Sequence, residues 1–307
     1  MPELPEVETV RRQLAPLVAG AQVESVEVED ARALKRHTGD IEMRVADFVG
    51  KLTGATLMPP ARRGKFMWIP LASQNSTDSP KLALLAHLGM SGQVLARTED
   101  APDDRHVRAR IWLRGTDLSL LRIDFADQRR FGSLAIDDLI QTTDAAAGGA
   151  GSNHSLVPAQ AAHIARDPLD PAFDIKAWVD RVKQRRIGIK KLLLDQTLMS
   201  GVGNIYADEA LWQVKIHPDT PAFRISKKKL AELVEVMGDV FERALEWGGT
   251  SFDAQYVNVN GEAGYFAQSL EAYGRTGLAC TRCGSAIEKT PFMGRNSHFC
   301  PRCQRKR

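Results

Sequence analysis

The chain has 307 residues, 43% of them hydrophobic, with 41 Lys and Arg against 38 Asp and Glu. That length suits two domains of ordinary size, each able to bury a core. A net charge of +3 excludes any argument for nucleic-acid binding from bulk charge, and no apolar run reaches the roughly 18 residues of a membrane span. The acidic start, MPELPEVE, lacks the apolar stretch of a secretory signal, so a soluble cytoplasmic protein with no membrane partner is expected.

The first element is a helix. Pro5 suits its first turn, Val7, Val10, Leu14 and Leu17 recur at three- and four-residue spacing, and Gly20 ends it. The period then changes to two. Val107, Ala109, Ile111 and Leu113 alternate with polar neighbours, as in a half-buried strand. The apolar runs Lys65–Leu71 and Lys81–Leu88 predict strands buried on both faces, with Gln74–Pro80 as their hairpin tip. From Thr142 to Ala162 the composition turns to Ala, Gly, Ser, Asn and Pro without periodicity, which predicts a mobile linker. Beyond it the pattern is helical: Leu230, Leu233, Met237 and Phe241 form a stripe behind a Ser226 N-cap, closed by Gly248. The boundaries that follow are 1–138 for a β-rich first domain, 139–168 for the linker, 169–250 for a helical domain, 251–272 for a loop region and 273–307 for a cysteine-bearing tail.

Charge is clustered. Arg181 to Lys191 carries six bases and no acid, and Cys280 to Arg307 carries seven bases against Glu288 alone. Such clusters can form a footprint on a phosphate backbone, or simply a solvated face. All four cysteines lie in the tail, as Cys280-x2-Cys283 and Cys300-x2-Cys303. This spacing matches a tetrahedral four-thiolate site for one Zn2+ ion, which is structural because four protein ligands leave no open position. His298 is then not needed as a ligand.

Between these clusters, Gly201 and Gly203 break two helical segments, and Asn204 is placed to cap the second, with Asp208 and Glu209 in its early turns. The amides at that helix start, with Lys190 in reach, make an anion site.

The motifs PELPEVE, HLGMSG (His87–Gly92), RRFG (Arg129–Gly132), GVGNIYADE (Gly201–Glu209) and the tail YGR–CxxC–GRNSHFCPRC resemble bacterial formamidopyrimidine-DNA glycosylase, in order and over nearly the whole chain. The resemblance implies an α+β fold: an N-terminal helix with a β-sandwich, then a helix–two-turn–helix domain with a zinc-finger β-hairpin. It implies damaged double-stranded DNA as partner, lying in the cleft between the domains. It also implies excision of 8-oxoguanine and formamidopyrimidines and cleavage at the abasic site by β,δ-elimination. It carries with it a monomer associated with the bacterial nucleoid and no nucleotide cofactor.

On the matching positions, the resemblance makes Pro2 the nucleophile once Met1 is removed, because its secondary amine can form a Schiff base with the sugar. Glu3 matches the general acid, and Glu6 organises water or the helix start. Lys65 and His87 match phosphate contacts around the lesion. Met90, Arg129 and Phe131 match the trio that fills the hole left by a flipped nucleotide. Lys190, Asn204 and Arg295 match phosphate clamps, Arg295 also standing with the catalytic set. The sequence departs from the family in a longer linker, in Ser297 where threonine is usual, and at Ser251–Gly264, the loop expected to cap the flipped base.

Two other readings compete. An endonuclease VIII-like enzyme would share the chemistry on oxidised pyrimidines, but PELPE and the RRF trio point away from it. A non-catalytic damage-binding protein would keep the anchor and the finger, yet would have no use for Pro2, Glu3 and Lys65 together.

Overall fold

A computed structural model describes residues 2–72, 79–102, 104–250, 259–260 and 264–306. The chain forms two compact units, Met1–His163 with Gly248–Gly264, and Ile164–Trp247 with Tyr265–Arg307.

The first unit opens with α1 (Leu4–Val18). Two sheets follow. One is four-stranded in the order β1 (Gln22–Val28), β6 (Val107–Arg114), β7 (Leu120–Asp127), β5 (Gly92–Arg97). The other is five-stranded in the order β2 (Ala61–Arg63), β3 (Phe66–Pro70), β4 (Leu82–His87), β8 (Ser133–Gln141), β9 (Leu156–Pro158). Every pairing is antiparallel. The inner faces meet in one core: Ala109, Ile111, Leu113, Ile123 and Phe125 from the first sheet face Met67, Ile69, Leu84, Ala86, Leu134 and Ile136 from the second. β6 alternates buried and half-buried along its whole length, as its sequence predicts. β3 is buried throughout and β4 through its middle, and the two pair antiparallel. Most of the expected tip, Gln74–Pro80, lies outside the described residues.

Three expectations are corrected. Leu17 is 38% exposed and the stripe of α1 runs through Val18 instead. A second helix, α2 (Ile41–Leu52), occupies a half expected to be β after its leading helix; it buries Phe48 and Leu52. The segment expected to be a mobile linker is built into the sandwich. β9 extends the second sheet beside β8, and Gly148 and Gly149 pass so close to the Leu156 and Arg62 carbonyls and the Trp68 ring that a Cβ would collide. The sandwich therefore runs on past residue 138.

The second unit holds α3 (Ile175–Lys183), α4 (Ile189–Leu193), α5 (Asn204–Gln213) and α6 (Lys227–Glu246), then the hairpin of β10 (Glu288–Phe292) and β11 (Arg295–Phe299). α6 keeps its expected form. Ser226 Oγ accepts from Lys229 N at 3.2 Å, the stripe Leu230, Leu233, Met237 and Phe241 is fully buried, and Gly248 turns the chain with φ +72°.

Candidate active site

Pro2 and Glu3 are buried immediately before α1. Glu3 is the N-cap, with extended backbone, and forms a capping box with Glu6, whose Oε2 accepts from Glu3 N at 2.8 Å. Glu6 Oε1 accepts from Thr250 N at 2.8 Å and from Thr250 Oγ1 at 2.9 Å. The neighbouring Gly249 has φ +86°, and a Cβ on it would stand 3.0 Å from that carboxylate. Of the two roles expected for Glu6, these bonds serve the helix start, which Glu6 also ties to Thr250.

One turn further along, Glu8 is buried beneath three guanidinium groups. Its Oε1 meets Arg11 at 2.7 Å and Arg12 at 2.8 Å, and its Oε2 accepts from Arg62 Nε at 2.9 Å. Burial alone would raise this carboxyl, but hydrogen bonds and attraction from Arg11 and Arg62 bring it down to about 2. Arg62 also donates to the Gly64 carbonyl at 3.1 Å, and Arg63 Nε donates to Gly148 O at 2.8 Å. Gly64 takes φ +56°, which lets the chain turn tightly between β2 and β3. Half-buried Lys65 follows directly. A single ion-pair network thus relates the start of α1 to the turn that carries Lys65.

Met90, Arg129 and Phe131 are all exposed and lie on two adjoining turns, β4–β5 and β7–β8. The turns touch where Gly89, at φ +61°, packs on the Phe131 carbonyl. Between them sits Asp127, 1% exposed. Its Oδ1 accepts from Ser91 Oγ at 2.5 Å and from Arg129 N at 3.2 Å, and its Oδ2 accepts from Gly132 N at 2.6 Å. Met90 is 43% and Phe131 54% exposed, each an apolar side chain held in solvent beside the Arg129 turn.

His87 ends β4 against the Phe66 ring, 4.8 Å between centroids, with the Arg36 guanidinium 5.2 Å from the centroid of that ring. Burial, then the charges of Arg36, Lys65 and Lys35, push its imidazole down to about 4. It is therefore neutral at pH 7, and because Nδ1 accepts from Gly89 N at 3.2 Å, Nε2 carries the hydrogen. Any phosphate contact of His87 is that of a neutral donor. Lys35 and Arg36 belong to the same positive face, and nothing in their sequence spacing marked them.

In the second unit the signature residues are largely inside. Lys190, expected as a phosphate clamp, is fully buried: its Nζ meets Asp208 Oδ1 at 2.6 Å and Ser297 Oγ at 3.0 Å, 4.7 Å from the Phe292 ring centroid. The reason is the paired carboxylate one helix away, which holds the ammonium out of water. Asn204 is the first residue of α5 and not its cap; Gly203 holds the cap position, and Asn204 Nδ2 donates to Asn296 O at 2.9 Å. Asp208 further accepts from Ser297 Oγ at 3.0 Å and His298 N at 2.9 Å. Glu209 accepts from three consecutive amides, Glu271, Ala272 and Tyr273, at 2.8–2.9 Å. Asp208 and Glu209 were expected only as favourable helix charges. Their structural role is to fix the finger and the chain leading into it. In the basic run, Lys183 is likewise engaged, donating to Phe223 O and Ile225 O.

Arg295 is exposed at the hairpin tip, after Met293 and Gly294, both at positive φ (46° and 73°). At the other end, the four Sγ atoms of Cys280, Cys283, Cys300 and Cys303 lie within 4.8 Å of one another. A tetrahedron with zinc–sulfur bonds of about 2.3 Å has sulfur–sulfur edges of about 3.8 Å, so the four thiolates fit Zn2+. His298 Nδ1 instead lies 3.2 Å from Asp208 Oδ2. The cysteine cluster packs on Trp212 of α5, over which Arg282 stacks at 3.7 Å.

Residues 1–134 match the family described as formamidopyrimidine-DNA glycosylase N-terminal domain, 164–255 its H2TH domain, and 277–305 the zinc finger found in FPG and IleRS. A formamidopyrimidine-DNA glycosylase of Leifsonia xyli is 53% identical over 305 residues, 99% of this chain and 100% of its own. Lactococcus lactis Fpg in complex with DNA containing an abasic site superposes with a TM-score of 0.80 at 30% identity, covering 99% of this chain and 100% of that one. A mutant of the same protein bound to DNA containing Fapy-dG gives 0.80 at 32% identity, with the same coverage.

Proposed function

Because the chain belongs to the formamidopyrimidine-DNA glycosylase family, we infer that it is a base-excision repair enzyme, a glycosylase that removes oxidised purines and an AP lyase that then cuts the strand. The observation that carries this reading is the pair of turns on Asp127, which holds Met90, Arg129 and Phe131 exposed and side by side. Apolar wedges of this kind occupy the space of a nucleotide swung out of the stack, and a guanidinium can satisfy the base left behind.

In this reading the loss of Met1 frees the Pro2 amine, and its position ahead of a helix start disfavours the protonated form. The nitrogen lone pair attacks the sugar C1′, the bond to the base breaks with its electron pair, and the base leaves with the proton that the Pro2 nitrogen gives up. Glu3 supplies the proton that opens the sugar ring at O4′. The resulting iminium acidifies C2′, so loss of a proton there expels the 3′ phosphate and a second elimination expels the 5′ phosphate. Water then releases Pro2. Lys65 and the neutral His87 hold phosphates near the lesion, and Asn204 and Arg295 hold the strand further along. Lys190 acts through Asp208 as a positioning residue and touches no DNA. Zinc, when bound by Cys280, Cys283, Cys300 and Cys303, supplies rigidity to the finger and no reacting group.

Among the described residues no helix is long and apolar enough to cross a membrane, and we place the enzyme in the cytoplasm, on the nucleoid, as a monomer with no nucleotide entering its chemistry.

The test is borohydride trapping on duplexes carrying 8-oxoguanine opposite cytosine, thymine glycol, or no lesion. An adduct mainly on 8-oxoguanine, absent when Met1 is retained, is expected. An adduct mainly on thymine glycol would move the enzyme to pyrimidines, and normal trapping with Met1 in place would remove Pro2 as nucleophile.

A further inference from the structure

The second unit contains a cavity of about 490 Å3 whose wall includes Lys215, His217, Thr220, Arg224, Lys229 and Arg305, and no acidic residue. It lies between the end of α5, the start of α6 and the chain just past Cys303. Of the carboxylates around it, Glu232 meets Lys229 at 2.6 Å, Asp219 meets Lys306 at 3.4 Å, and Asp180 meets Lys227 and Lys176, while Glu288 acts on His217 from β10.

α6 begins Lys227-Lys228-Lys229; Lys227 pairs with Asp180 and Lys229 with Glu232, and the backbone dipole at this helix start favours a further anion. His217 adds a neutral donor: its Nδ1 accepts from Asp219 N at 3.1 Å, which leaves the hydrogen on Nε2. Val214, Ile216 and Ile225 give the same cavity an apolar wall, and its volume lies in the range that holds small organic ligands.

We propose that this cavity binds a phosphate monoester of nucleotide size, its phosphate held by Arg224, Arg305 and Lys215 at the start of α6 and its body against Val214, Ile216 and Ile225. The site does not depend on Pro2 chemistry and takes no part in it.

The test is calorimetric titration of the full, zinc-loaded chain with dAMP and, separately, with inorganic phosphate. dAMP is expected to bind more tightly than phosphate. The double variant Arg224→Gln, Arg305→Gln is expected to weaken dAMP by about tenfold or more for charge-assisted bonds of this kind. Its zinc content and its borohydride trapping on 8-oxoguanine duplexes should be unchanged, which separates this site from the repair reading. Absence of dAMP binding to the unmodified chain, binding that survives the double substitution, or phosphate binding as tightly as dAMP would each overturn the proposal.

Discussion

Asp127 and Asp208 are both buried carboxylates in signature stretches, and they do opposite things for the surface. Asp127 collects two backbone amides and a hydroxyl, and so pushes Met90, Arg129 and Phe131 outward. Asp208 collects an amide, a hydroxyl and the Lys190 ammonium, and so draws a cation inward. In the first unit a motif marks side chains held in solvent. In the second, the equally distinctive GVGNIYADE marks what holds the finger to α5. A run of recognisable residues therefore locates an important place without saying which of its side chains face solvent.

The sharpest way to break the contrast is to remove the carboxylate from each. Asp208→Ala leaves Lys190 buried and uncompensated, and a loss of about 3–5 kcal/mol in unfolding free energy is expected. Adding Lys190→Met, an apolar side chain of similar length, should recover much of it. If Asp208→Ala alone leaves the denaturation midpoint in place, the buried pair is not holding the finger.

Acid should report on the first unit. Glu8 falls from 4.5 to about 2 on folding, so its contribution is full above pH 4.5 and disappears as pH falls toward 2. A shift of that size corresponds to about 3 kcal/mol. Urea midpoints measured across that window should drop more steeply for the unaltered chain than for Glu8→Gln, which starts less stable. Equal slopes would show that the guanidinium groups do not hold Glu8 ionised.

The smallest stability effects should carry the clearest functional ones. Asp127→Asn keeps the shape but weakens the bonds that order both turns, costing about 1–3 kcal/mol. Phe131→Ala, at an exposed site, should cost within about 0.5 kcal/mol. Both should slow excision from duplex DNA much more than processing of a preformed abasic site. Equal slowing on the two substrates would argue against a role in emptying the stack.

What could be read in advance depended on how local its cause was. β6 and α6 were legible because each buries one face against a core, and the period of the apolar residues reports that directly. The four cysteines were legible because two short turns set their geometry. The segment around Gly148 and Gly149 was misread because glycine signals freedom in composition but here permits close approach to Trp68 and the Arg62 carbonyl. Lys190 was misread because its partner is 18 positions away on another helix. Asn204 sat one position past the cap because Gly203, with extended φ and ψ, already filled it. The family resemblance supplied the Pro2, Glu3 and Lys65 set, which no periodicity marks.

The Glu8–Arg62 bond also makes α1 a measuring rod. With Glu8 anchored to Arg62 of β2, the number of residues from Pro2 to Glu8 sets both the height and the bearing of Pro2. One residue inserted into the helix ahead of Glu8 would rotate everything before it by about 100° and advance it by about 1.5 Å. The length of this short stretch is therefore as much a part of the working protein as the identity of any residue in it.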